Sequence, residues 1–188
     1  MSGHNKWSQI KRQKEVVDAK KSKLFSILTK NIQMEAKKAK GDRTSVGLKT
    51  IIERARAANL PNENIERAIK AATDTSSLTL ETVRYEAYGP EGVAIIIEAI
   101  TDSKNRTAQE IKHLLSEHSA ALATPGSATW AFDPPSPPPP AGGGGDETGW
   151  KPKNLRAIST ETRAALQTLI EKLEVREDVQ TVSLDIEI

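Results

Sequence analysis

The 188-residue sequence contains no cysteine. That excludes disulfides, thiolate nucleophiles and cysteine-based zinc sites, and it suits a reducing compartment. Long apolar runs are missing too. The longest, VAIIIEAI at 93–100, is interrupted by Glu98 and is far too short to span a membrane. The N-terminus lacks the apolar segment of a secretory signal, and Glu15, Asp18 and the sparse serines do not suit a transit peptide. A cytoplasmic protein is the expectation these absences leave. Histidine is scarce: His4, His113 and His118. His113 and His118 stand five apart, not at the spacing that stacks two side chains on one helix face, so no metal site is expected. No P-loop is present, and no Gly-x-Gly-x-x-Gly follows a strand. GPEG and GGGG lack the helix and lysine that a phosphate cradle requires. Glu98 and Asp102 flank a strand end with no partner acid in view. The chain is expected not to be an enzyme, and to need neither cofactor nor small-molecule substrate.

What is present is charge, unevenly spread. Hydrophobic residues make up 37% and charged residues 28%, with a mean hydropathy of −0.50, which predicts a modest core and much surface. Residues 1–58 hold 15 Lys/Arg against 5 Asp/Glu, while residues 59–188 hold 12 against 20. The first third should attract polyanions and the remainder should repel them.

Residues 1–16 show no helical period and include Gly3, His4 and Asn5, so an extended arm is expected. From Asp18 to about Lys40 the period is helical. Leu24, Phe25, Leu28, Ile32, Ala36 and Ala39 share one side, opposite Lys20, Lys23, Lys30, Lys37 and Lys38. Asp18 suits the start of such a helix and Gly41 its stop. A second helix is expected over 47–59, and a third opening at Pro61 with Ile65, Ala68 and Ile69 inward. After the polar joint TDTSSLT the period changes. TVRYEAY and VAIIIEAIT read as strands around a GPEG turn. Thr107 and Glu110 match a capping box ahead of IKHLLSEHSA. SATWAF at 127–132 alternates like a strand. The Pro- and Gly-rich stretch 133–154 reads as a linker. A helix over 159–175 and the strand VQTVSLDIEI complete the chain.

The predicted fold class is α+β: a basic three-helix domain over 1–76, then a ββαβ–linker–αβ domain over 80–132 and 155–188. A four-stranded antiparallel sheet with two helices on one face satisfies that order.

Lys20, Lys23, Lys30 and Lys37 form a row about 25 Å long on one helix face, spaced to meet successive phosphates. Lys21 lies beside them, and the arm adds Lys6, Lys11, Arg12 and Lys14. A helix that is merely solvated mixes Glu with Lys for i,i+4 pairing; this face is almost purely cationic. Trp7 could stack on an unpaired base or anchor the arm onto the helices. DSKNRT at 102–107 reads as turn plus N-cap, with Lys104 and Arg106 placed for a second anion contact at the sheet's end.

Several long segments resemble one family. GHNKWSQIKRQK and DAKKSKLF are similar to the N-terminal signature of YebC-type proteins. YEAYGPEGVAIIIEAITDSKNRT and GSATWAF resemble the family's central motifs, and LIEKLEVREDVQTV its C-terminal helix and strand. The resemblance covers about 1–132 and 160–182. It implies a helical N-terminal domain joined to α/β domains, with a basic surface for nucleic acid. Bacterial members are catalogued as probable transcriptional regulators. Mitochondrial members act as the translational activator of cytochrome c oxidase, and others help ribosomes through proline-rich stretches. The positions that match the motifs are Lys6, Trp7, Lys11, Lys20, Lys21 and Lys23 in the first, and Asn105 and Arg106 in the second. The usual member inserts a third α/β domain where this chain has its Pro/Gly stretch, so a short form is expected. The combined expectation is a nucleic-acid-binding regulator of gene expression. By family label it is a DNA-binding transcriptional regulator; the alternative is a translation factor that binds the ribosome or its RNA. No helix carries Arg, Asn and Gln at base-reading spacing, which favours recognition of phosphates and shape.

Overall fold

The computed structural model describes residues 3–74, 79–135 and 149–187, with side chains from Val17 onward. The chain divides into two compact units, Met1–Ser77 and Leu78–Ile188.

The first unit holds three helices: α1 (Gly3–Lys38), α2 (Val46–Ala57) and α3 (Asn62–Thr73). Leu28, Ile32 and Ala36 of α1 pack with Leu48, Ile52 and Ala55 of α2 and with Ile65, Ala68 and Ile69 of α3. The chain leaves α1 through Lys40 and Gly41, both in the left-handed region, and the Gly41 N–H reaches back to the Ala36 carbonyl at 2.9 Å. Arg43 donates to both carboxylate oxygens of Glu66, fixing this turn against α3.

Two expectations are corrected here. The extended arm is helical: α1 is continuous from Gly3, so Asp18 lies in mid-helix rather than near its start. Hydrophobic period marks where a helix packs, not where it exists. Residues 8–23 contain no Pro or Gly and are dominated by Lys, Arg, Gln, Glu, Ala and Val, mostly good helix formers.

The second unit is built on a four-stranded antiparallel sheet of order β3-β1-β2-β6. β1 (Glu81–Tyr88) and β2 (Ala94–Thr101) form a hairpin in full register, from Glu81 opposite Thr101 to Tyr88 opposite Ala94. α4 (Lys104–Glu117) and α5 (Thr160–Val175) cover one face, over Ala87, Val93, Ile95 and Ile97. β6 (Val179–Leu184) pairs with β2, with an irregularity at Glu98/Ala99. The fourth strand is β3 (Ala121–Leu122), directly after α4.

SATWAF is therefore not the fourth strand. It supplies a single 3-10 turn at Thr129–Ala131 and then β4 (Phe132–Asp133), which pairs with β5 (Lys151–Pro152) in a separate two-stranded ladder. This ladder covers the second face of the main sheet. Ala128, Ala131, Phe132 and Trp150 pack there on Ala94, Ile96 and Tyr88. Residues 149–154, assigned to the linker on composition, thus belong to the fold; the PPSPPPP and GGGG segments lie almost wholly outside the described residues. The capping box is also not formed. Ser103 is the N-cap of α4, and Thr107 lies inside the first turns with its hydroxyl buried.

The hairpin turn depends on Gly89. A Cβ there would stand 2.9 Å from Leu166 Cδ2 and 3.4 Å from Ile95 Cδ1, both in the helix-side core. Gly89→Ala should therefore cost about 1–3 kcal/mol through overpacking. Urea denaturation checks this, and an unchanged midpoint would contradict it.

Candidate nucleic-acid interface

α1 carries the basic residues singled out from the sequence on one continuous helix. Lys6, Trp7, Lys11, Arg12 and Lys14 sit on its first turns, where only the backbone is described. Lys20, Lys21 and Lys37 are exposed, and Lys23 and Lys30 are half-buried. Among the described side chains, packing begins near Phe25 and Leu28. Before that, Val17 is 61% and Leu24 40% exposed, so this stretch stands clear of the three-helix core. Between Val17 and Lys38 there are two acids, Asp18 and Glu35. Glu35 is paired with Lys38 at 2.7 Å. The Lys21 ammonium lies 5.4 Å over the Phe25 ring, so part of its charge is met by its own helix.

The DSKNRT motif is arranged differently. Arg106 Nη2 donates to Asp102 Oδ1 at 2.6 Å and to Asp178 Oδ2 at 3.3 Å. The hydrogen bond from Arg106 is the main reason the Asp102 carboxyl lies below its usual range. Thr107 Oγ1 donates to Asp178 Oδ2 at 2.7 Å, and its contact with Thr101 Oγ1 is 2.8 Å. Lys104 is paired with Glu81, and the Tyr85 hydroxyl donates to the Lys104 carbonyl at 3.2 Å. Only Asn105 is left exposed without such a role. The motif ties the start of α4 to β2 and to the loop before β6, and an anion approaching Arg106 would compete with two carboxylates already in place.

Two arrangements on the second face of the sheet escaped the sequence reading. Glu86 is 6% exposed, and its carboxylate accepts the backbone N–H groups of Gly126 (2.7 Å), Ala128 (2.7 Å) and Thr129 (3.2 Å). Burial alone would push this carboxyl up; the three N–H donors, helped by the Arg84 charge, outweigh it and hold the group below the ordinary range. Trp150 donates Nε1–H to Glu98 Oε1 at 3.1 Å, and the Arg84 guanidinium stacks 4.2 Å from its ring centroid. Arg84 and Glu98 are cross-strand partners, so Trp150 rests on one rung of the β1–β2 ladder. The alternation of Arg84, Glu86 and Tyr88 along β1 was the available signal, but it does not reveal what covers them.

Among the described residues no group of three or more His, Cys, Asp or Glu is placed to hold a metal ion, and no helix is long and apolar enough to cross a membrane. His113 instead lies 3.5 Å from Glu117 on α4.

The chain thus combines a basic three-helix unit with an α+β unit built on a four-stranded antiparallel sheet. Comparisons make the assignment specific. Residues 5–75 match the TACO1/YebC protein N-terminal domain, and residues 80–135 match the TACO1/YebC second and third domain. A probable transcriptional regulatory protein of Thermoanaerobacter pseudethanolicus is 39% identical over 240 positions, covering all of this chain and 98% of the relative. One from Thermosipho africanus is 50% identical over 135 residues, 71% of this chain and 54% of that protein. The crystal structure of a conserved hypothetical protein from Aquifex aeolicus superimposes with a TM-score of 0.78 at 28% identity, covering 92% of each chain. The chain belongs to the TACO1/YebC family. Its 188 residues leave at least 52 of the 240 positions aligned with the Thermoanaerobacter protein unfilled, as expected of a short form.

The Glu86 nest sets an acid limb to stability. Its folded pKa lies below the unfolded one, so the stability it contributes is present above the ordinary carboxylate range and is lost as pH falls through the folded value. Glu86→Gln should cost about 1–3 kcal/mol near neutral pH and flatten the acid limb. Urea midpoints measured from about pH 6 to about pH 3 check both effects.

Proposed function

We propose that this chain is a nucleic-acid-binding regulator of gene expression that docks on the phosphate backbone through the cationic face of α1. One observation carries the reading. The exposed stretch of α1 presents lysines ahead of the packed core, in a unit holding 17 Lys/Arg against 8 Asp/Glu. Several phosphates met along one helix give strong, salt-dependent binding without base readout. The name shared by the relatives, probable transcriptional regulatory protein, supports DNA as the target and transcription as the process. A second reading has its own support. No helix displays Arg, Asn and Gln at base-reading spacing, and recognition by phosphate and shape suits structured RNA, with the ribosome as partner.

Replacing Lys20, Lys23 and Lys30 together by Glu should weaken binding to either polyanion by more than about tenfold and lower the salt slope by about 2–3. Fluorescence anisotropy over a salt series measures both. Wild-type affinity in this variant would remove α1 from the interface. Cosedimentation with ribosomes at low and moderate salt, set beside promoter footprinting, separates the two targets. Ribosomal association without a footprint selects the translation reading, and the reverse selects transcription.

A further inference from the structure

Trp130 is 60% exposed in a chain with only 4% aromatic residues. It is not a loose side chain. Its indole Nε1–H donates to the Tyr88 hydroxyl at 3.1 Å, and that hydroxyl donates in turn to the Ser127 carbonyl. The segment that carries it is fixed from beneath by the three N–H bonds to Glu86. The ring's one polar atom is thus satisfied through its edge, while much of its apolar surface faces outward. A ring held this way loses little entropy on meeting a ligand.

The neighbouring charge is mostly basic, with Asp133 opposite Lys151 in the ladder. Residues 149–160 contain Lys151, Lys153 and Arg156 and no acid, inside a unit with 10 Lys/Arg against 17 Asp/Glu. Arg156 is engaged with Asp185 at 3.4 Å. Lys153 is exposed, and its backbone N–H bonds the Ala131 carbonyl at 2.9 Å, which places it across the ladder from the residue after Trp130. A flat aromatic face beside a cation fits a nucleotide: the base stacks and the phosphate meets the ammonium. Trp130 belongs to the layer that covers the sheet face opposite the helices, and its ring is exposed on that side of the unit.

We propose that this face of the second unit is a single-strand contact, in which Trp130 stacks on an unpaired base and Lys153 meets an adjacent phosphate. The site deepens the nucleic-acid reading but stands on residues outside α1.

The test uses the full chain and two labelled probes of equal length, a single-stranded oligouridylate and an RNA duplex, titrated by anisotropy at low salt. Trp130→Ala should weaken single-strand binding about tenfold while leaving duplex binding unchanged. Trp130→Phe should restore most of the loss, and Lys153→Glu should reproduce part of it. Wild-type single-strand affinity in Trp130→Ala overturns the proposal, as does an equal loss on both probes. The α1 triple variant reports separately: if it keeps wild-type affinity for the duplex, the α1 docking reading fails while the Trp130 site still stands or falls on its own variants.

Discussion

The second unit depends on one constraint: β2 has no solvent face. Every residue from Ala94 to Ile97, and again from Ala99 to Thr101, is buried, and only Glu98 is partly open. A strand this apolar must be covered twice. The helices α4 and α5 supply one layer. The other is assembled from residues either side of the Pro/Gly stretch, brought together by the β4–β5 ladder, with Phe132 and Trp150 as its bulk. The polar groups on that side then need partners at low exposure. Glu86 finds them in backbone N–H groups and Glu98 in the Trp150 indole. Both faces of the hairpin are therefore sealed by contacts distant in sequence.

The first unit has the opposite character. Its described core is small, and α1 extends well before the first residue in it. At about 1.5 Å per residue a 36-residue helix runs about 54 Å, and among its described side chains the buried ones are Leu28, Ile32 and Ala36. Between Val17 and Leu24 the described side chains lie outside the hydrophobic core, and Lys20 and Lys21 there are exposed. On the proposed reading, lysines on one helix keep their spacing before a polyanion arrives.

Much of this was legible from the residues. The stripe through Leu28, Ile32 and Ala36 marks the buried part of α1, and the alternation along 82–88 and the run at 93–101 mark the hairpin. The pattern at 166–173 gives α5. Each is a periodic signal produced by packing against one surface. The failures share a cause as well. The first turns of α1 carry no hydrophobic period, so the pattern gives no helix there and only residue propensity points to one. β3 is two residues long, too short for any period to register. Trp150 sits in a segment of linker composition, and its partners Arg84 and Glu98 lie more than fifty residues away. The site divides along the same line. The lysine row was readable because charge on a helix face has a period. The pairing of Arg106 with Asp102 and Asp178, and the fixing of Trp130 by Tyr88, were not readable, because each depends on which loops the fold brings together.

The two-residue ladder between Phe132–Asp133 and Lys151–Pro152 also has a bearing on how such a chain can change. It holds the two ends of the intervening segment side by side, Phe132 opposite Pro152 and Asp133 opposite Lys151. Length added there is felt only through loop closure, about 0.6 kcal/mol per doubling. A whole module could be grafted or excised at this junction without repacking β2. The ladder is therefore a natural splice point, and a rational place to insert a reporter domain into this protein.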